Sequence, residues 1–77
     1  MNDDLKVVPQ WVGTAPKECD ICEEPFERLF YDVATLAGSW ACLCIGCVGV
    51  YSRGILGTGL GQKYELQANG VWLKTGG

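Results

Sequence analysis

The chain has 77 residues, five cysteines, no histidine and a formal net charge of −3. At that length it forms one domain at most, of a size at which an apolar core alone supplies only about 3–5 kcal/mol. The acidic balance argues against collecting phosphates by counterion release, and the missing imidazole excludes a Cys-His nucleophile pair and imidazole acid–base chemistry.

In chain order, residues 1–16 carry a short apolar piece, Val7-Val8 and Trp11-Val12, broken by Pro9. They read as an N-terminal edge strand or a tail packed through Trp11. Met1-Asn2-Asp3-Asp4-Leu5-Lys6 has no basic region running into an apolar one, so no signal peptide is read. Residues 17–77, which hold all five cysteines, read as a single domain. Pro16 precedes the first turn, Cys19-Asp20-Ile21-Cys22, and Pro25 follows it. Arg28-Leu29-Phe30-Tyr31-Asp32-Val33 has the aromatic and branched content of a strand. Ala37-Gly38-Ser39 marks a turn, after which an extended segment runs into the second pair and places Trp40, Cys42 and Cys44 on one face. Val48 to Arg53 suits one or two helical turns, with Gly49 and Gly54 limiting their length. The run Gly54 to Gly61 is too rich in glycine for regular structure. Asn69-Gly70 between Lys63-Tyr64-Glu65-Leu66 and Val71-Trp72-Leu73-Lys74 signals a hairpin in which both central residues take positive φ.

The chemistry lies in two Cys-x-x-Cys pairs, Cys19-Cys22 and Cys44-Cys47, with residues 23–43 between them. Each pair makes a tight turn that aims two sulfurs at one point, and the intervening hairpin brings the pairs together around one tetrahedral, structural Zn²⁺. Structural zinc contributes roughly 10–16 kcal/mol of apparent binding free energy in small peptides, which offsets the shortage of core. The expected fold is therefore a small zinc-stabilised, mostly β domain, treble-clef or zinc-ribbon-like. It has a hairpin between the two knuckles, a short helix after the second, and a C-terminal hairpin. A helix starting at the second pair marks a treble clef; another hairpin there marks a ribbon.

Other readings are weaker. A disulfide framework fits neither the odd number of cysteines nor the missing signal peptide. Val33 to Ser52 is uncharged and as long as a membrane span, yet it holds half of the tetrad, whose partners lie outside it. The glycine run has neither the phosphate-loop spacing nor the dinucleotide fingerprint. Cys42, two residues before Cys44, is expected on the same side, buried near the metal as a core thiol, with ligand or reactive thiol as alternatives. No acid–base pair or open metal position is evident, so no enzyme activity is expected.

Charge is uneven. Glu18, Asp20, Glu23, Glu24, Glu27 and Asp32 crowd the first knuckle and the strand after it against Arg28 alone. Loss of four thiol protons and gain of a 2+ ion shift the formal −3 to about −5. Asp20, Glu23, Glu24 and Glu27 read as a solvated face or as a docking patch for a basic protein surface. Trp11 and Trp72, where exposed, are further candidates for a protein interface, and a dimer is compatible with the odd thiol and the aromatics.

Taken together, Cys19-Asp20-Ile21-Cys22, Phe30-Tyr31-Asp32, Gly38-Ser39-Trp40-Ala41-Cys42-Leu43-Cys44-Ile45-Gly46-Cys47, Leu56-Gly57-Thr58-Gly59-Leu60-Gly61-Gln62-Lys63-Tyr64 and Gly70-Val71-Trp72 resemble a family of small zinc-finger proteins encoded by bacteriophages and prophages. The resemblance covers about residues 19–74. It implies that Cys19, Cys22, Cys44 and Cys47 are the metal ligands and that the glycine run is a shared feature. Where that family tends to have Gly-Pro-Trp-Ala-Asn, Ser39 stands for the proline and Cys42 for the asparagine, which leaves the tetrad intact. The resemblance brings no activity with it. With an acidic face on a metal-rigidified scaffold and no catalytic residues, the expectation is a protein acting in the cytoplasm of an infected bacterium through contact with a host protein that it inhibits or redirects. A zinc-ribbon nucleic-acid-binding accessory or transcription regulator is the competing expectation, made less favourable by the acidic charge.

Overall fold

The computed structural model describes residues 10–77; the expected apolar piece at Val7-Val8 lies outside them. The elements run β1 (Leu29–Ala34), β2 (Trp40–Leu43), α1 (Ile45–Tyr51), β3 (Gly61–Leu66) and β4 (Trp72–Gly76). The strands form one antiparallel sheet in the order β2-β1-β3-β4. The helix begins at the second cysteine pair, which meets the treble-clef criterion rather than the ribbon one. It starts three residues earlier than its glycines suggest. The Cys44 carbonyl accepts from Cys47 N and Val48 N at 3.1 and 3.0 Å, opening the helix ahead of Gly46 and Gly49.

Both hairpins close with the same device. Gly38 N donates to Thr35 O at 2.9 Å and Thr35 N to Ser39 O at 2.8 Å. Likewise Gly70 N donates to Gln67 O at 2.9 Å and Gln67 N to Val71 O at 2.8 Å. Gly38 and Gly70 have φ of 102° and 86°, while Asn69 stays at negative φ. This corrects the expectation of two positive-φ residues: a type I turn is followed by one left-handed glycine, the three-residue hairpin loop. Asn69 contributes through its side chain instead, its Oδ1 accepting from Val71 N at 3.1 Å.

Within the glycine run, Gly57 N donates to Gly61 O at 2.9 Å, a turn that delivers the chain into β3. Gly61 is therefore a strand residue, not loop as expected. A Cβ there would collide with Val33 Cγ1 and sit 3.1 Å from Asp32 O, so only glycine lets β3 pass this close to β1. The uncharged stretch Val33 to Ser52 is divided among β1, β2 and α1. Among the described residues no helix is long and apolar enough to cross a membrane.

Side chains alternate across β1, so Phe30 and Val33 face opposite ways. On Phe30's side, Trp11, Phe26, Tyr64 and Trp72 surround its ring with centroid separations of 5.0 to 5.3 Å. On Val33's side, Val33, Leu43, Cys19 and Cys47 form a small core flanked by Val48 and Leu56. Phe26 touches both groups. Before β1, the chain bonds to the outer edge of β4: Trp11 N donates to Trp72 O at 2.9 Å, and Gln10 bridges Leu73.

Candidate metal centre

The first knuckle is an antiparallel turn closed by Phe26 N donating to Lys17 O and Cys19 N donating to Glu24 O, both at 2.9 Å. Inside it, Glu23 N donates to Cys19 O at 3.0 Å, and Ile21 N approaches Cys19 Sγ at 3.5 Å. Reversing the chain this tightly puts Glu23 at φ 65°, the one left-handed residue besides glycines among those described. The knuckle is then tied to the sheet. Asp20 N donates to Cys42 O at 2.9 Å, and Cys42 N donates to Asp20 Oδ2 at 2.8 Å. Asp20 thus satisfies the outward-facing backbone groups of the edge strand β2, which would otherwise invite another strand.

The second pair arrives from the other side, Cys44 as the N-cap of α1 and Cys47 within its first turn. Cys44 makes no side-chain capping bond. Its sulfur instead lies 3.6 Å from Cys22 Sγ. The Sγ atoms of Cys19, Cys22, Cys44 and Cys47 all fall within 4.8 Å of one another. Four thiolates about 2.3 Å from a tetrahedral Zn²⁺ stand roughly 3.8 Å apart, so the sulfurs are already near ligating separation. All five cysteines are free thiols, so no disulfide competes for them. Soft thiolates in a closed tetrad select zinc over the hard divalent cations. This is a site for one structural zinc, with every coordination position filled by the protein.

The sulfurs sit in unlike surroundings. Burial works against the Cys19 thiolate, but backbone N–H groups at Cys22, Cys44 and Ile21 outweigh it and bring the thiol from 9.0 down to about 6. At Cys22 the backbone at Glu24 favours the thiolate, yet burial and the sulfurs of Cys44 and Cys19 leave its pKa raised. Burial, and then the sulfurs of Cys44, Cys19 and Cys22, push Cys47 up to about 12. Four sulfurs this close cannot all be anionic without a cation among them, so the metal takes the place of protons.

Cys42 differs from expectation. It pairs with Asp32 across β1–β2, stands half-buried outside the sulfur cluster, and offers the metal nothing. Strand alternation does not carry through to Cys44, because β2 ends at Leu43 and the chain turns into α1. Burial, followed by Asp32, Asp20 and Cys19, pushes its thiol up to about 11, which keeps it protonated at neutral pH.

The residues singled out for a partner surface fall into two sets. Asp20, Glu23, Glu24 and Glu27 are exposed in and beside the first knuckle. Trp11 and Trp72 are half-buried in the aromatic cluster, the Trp11 indole donating to Thr14 O at 3.2 Å. Other large apolar groups do face solvent, among them Ile21, Leu36, Trp40 and Tyr51, 44 to 66% exposed. These four line a groove of about 500 Å³ between the first knuckle, the β1–β2 turn and the end of α1. Strand alternation predicts Trp40 on the ligand-bearing face of its strand, and nothing in the local pattern marks these four positions as neighbours. Comparison with known proteins gives no match to a family model, a curated protein or a solved structure.

Proposed function

We propose that this protein is a zinc-stabilised interaction module of the small phage-type zinc-finger kind. It works in the cytoplasm of an infected bacterium by binding a host protein and inhibiting or redirecting it. One observation carries the reading. Among the described residues the knuckle carboxylates have no cation paired with them, and large apolar side chains stand exposed beside them. Among the described residues the single ion pair is Lys63–Glu65, at 3.4 Å on β3, well away in sequence from Glu18, Asp20, Glu23, Glu24 and Glu27. A zinc-held scaffold keeps that surface rigid, which lowers the ordering cost of association. The closed tetrad supports a structural role for the metal and supplies no position for substrate.

The experiment is affinity capture from host lysate with the zinc-loaded chain, read by mass spectrometry. Recovery of one host protein in stoichiometric amount is expected, and Cys44→Ser, which removes a ligand, should lose the zinc and that protein together. Gel shifts at low salt provide the counter-test: measurable affinity for DNA or RNA would replace this reading with a nucleic-acid one.

A further inference from the structure

The groove between the knuckle and the β1–β2 turn has fixed walls. Leu36 N donates to Tyr51 O at 2.8 Å, joining the turn to the end of α1. Thr35 Oγ1 donates to Ser39 O at 2.7 Å inside the turn. The paired bonds between Asp20 and Cys42 hold the third wall. These apolar side chains stay exposed although every backbone element carrying them is bonded in place. A groove of this size holds two or three side chains of an extended segment.

Its charge narrows the occupant. Among the described residues Asp20 is the one charged residue lining it, and no cation does. Asp20 uses Oδ2 for the Cys42 N–H, which leaves its second oxygen for a ligand. The four thiolates and zinc next to Ile21 add a formal −2, and Glu23 and Glu24 on the same knuckle add to the field. A second copy of the chain would bring two acidic surfaces together. A nucleic acid would meet the same repulsion. A purely apolar ligand would leave the field unanswered. Trp40, 52% exposed, presents a ring on which a cation can lie.

We propose that this groove docks a cationic–apolar segment of a partner protein, with an arginine or lysine laid over Trp40 toward Asp20 and a neighbouring aliphatic side chain held by Ile21, Leu36 and Tyr51. The proposal rests on the interaction reading above and adds the place and chemistry of recognition.

The test is an NMR titration of the zinc-loaded full chain with two acetylated, amidated synthetic peptides. One has the sequence Gly-Leu-Arg-Leu-Gly, and the other replaces the arginine with glutamate. The arginine peptide should shift the Trp40 indole and the amides of Asp20, Ile21, Leu36 and Tyr51, and the glutamate peptide should not. Asp20→Asn keeps an acceptor for Cys42 N but removes the charge, and should weaken binding about two- to fivefold. Trp40→Ala should weaken it about tenfold or more. One zinc per chain and unchanged amide dispersion show that each variant is folded. Absence of binding, equal response to both peptides, shifts on another face, or unchanged affinity in folded Trp40→Ala each overturns the proposal. Concentration-dependent groove shifts without peptide overturn it in favour of a second copy. A host protein captured equally well by the Asp20→Asn, Trp40→Ala double variant preserves the interaction reading and removes only the groove. Arginine-peptide binding with no host protein captured does the reverse.

Discussion

On the aromatic face of the sheet, Phe30 is fully buried among Trp11, Phe26, Tyr64 and Trp72. On the opposite face, Val33 and Leu43 are just as buried, but the side chains that complete their enclosure are the thiols of Cys19 and Cys47. Rings fill one side by area; on the other a metal holds small groups together. The sequence suggests that zinc replaces a core the chain is too short to build. The structure shows that it replaces half of one. Both halves share β1, since Phe30 and Val33 lie on the same strand, so neither face is expected to persist without the other.

Removing the metal breaks the comparison most severely. Chelation, or Cys47→Ser, takes away a contribution on the order of 10 kcal/mol, more than a domain of this size holds in reserve. Amide dispersion should collapse for Tyr64 and Trp72 as well as for the knuckles. Survival of the β3–β4 resonances after chelation would show instead that the aromatic face folds alone. Acid should do the same more gradually. In the folded arrangement of the sulfurs the Cys19 thiol is brought down to about 6 and the Cys47 thiol pushed up to about 12, so at neutral pH the ion must displace the proton on Cys47. In the zinc-bound protein the ion favours thiolate over thiol among its ligands. Their stabilisation is therefore present above the unfolded thiol value and lost as pH falls through the bound one. A zinc-release titration followed with a chromogenic chelator checks the sign: release must increase as pH decreases.

Phe30→Ala sharpens the comparison from the other side. Truncating a fully buried phenylalanine costs about 3–5 kcal/mol, and here it opens a void between the rings. Urea unfolding of the zinc-loaded protein should show that loss while the folded fraction still binds one zinc per chain. A smaller change follows for Gly61→Ala, which forces a methyl against Val33 on the metal side. About 1–3 kcal/mol is expected, from overpacking rather than from a cavity. Valine at position 33 replaced by alanine in the same chain should recover part of it, because the colliding atom Cγ1 is then gone.

How far the sequence revealed each region follows the same division. The tetrad was legible because ligand spacing is a local signal, and its partner hairpin follows from the need to join the two pairs. For the helix at Ile45–Tyr51, the low propensity of Gly46 and Gly49 points to a later start, whereas the decisive factor is Cys44, whose carbonyl opens the helix while its sulfur reaches Cys22. Period-two alternation carried as far as Cys44 puts Cys42 on the metal's side, but β2 ends at Leu43 and the alternation stops there. The aromatic cluster was not legible. Trp11, Phe30, Tyr64 and Trp72 are distant in sequence, and only the β1–β3–β4 register assembles them. The groove around Trp40 is hidden for the same reason, since it joins three elements that no single window contains.

The smallest expected effect lies at Glu23, where backbone need and side-chain identity disagree. Its φ of 65° suits glycine, and a β-carbon there costs about 1–2 kcal/mol. Glycine loses more chain entropy on folding, which gives back part of the difference. The carboxylate itself makes no ion pair among the described residues and stands beside a metal centre that is already anionic. Glu23→Gly should therefore raise holo stability by about 0.5–1 kcal/mol, measured as a higher urea midpoint with unchanged slope. Glu24→Gly, at an ordinary backbone angle one residue further on, removes the same charge and should lower stability. If both substitutions stabilise equally, charge relief beside the tetrad governs the knuckle and backbone geometry does not.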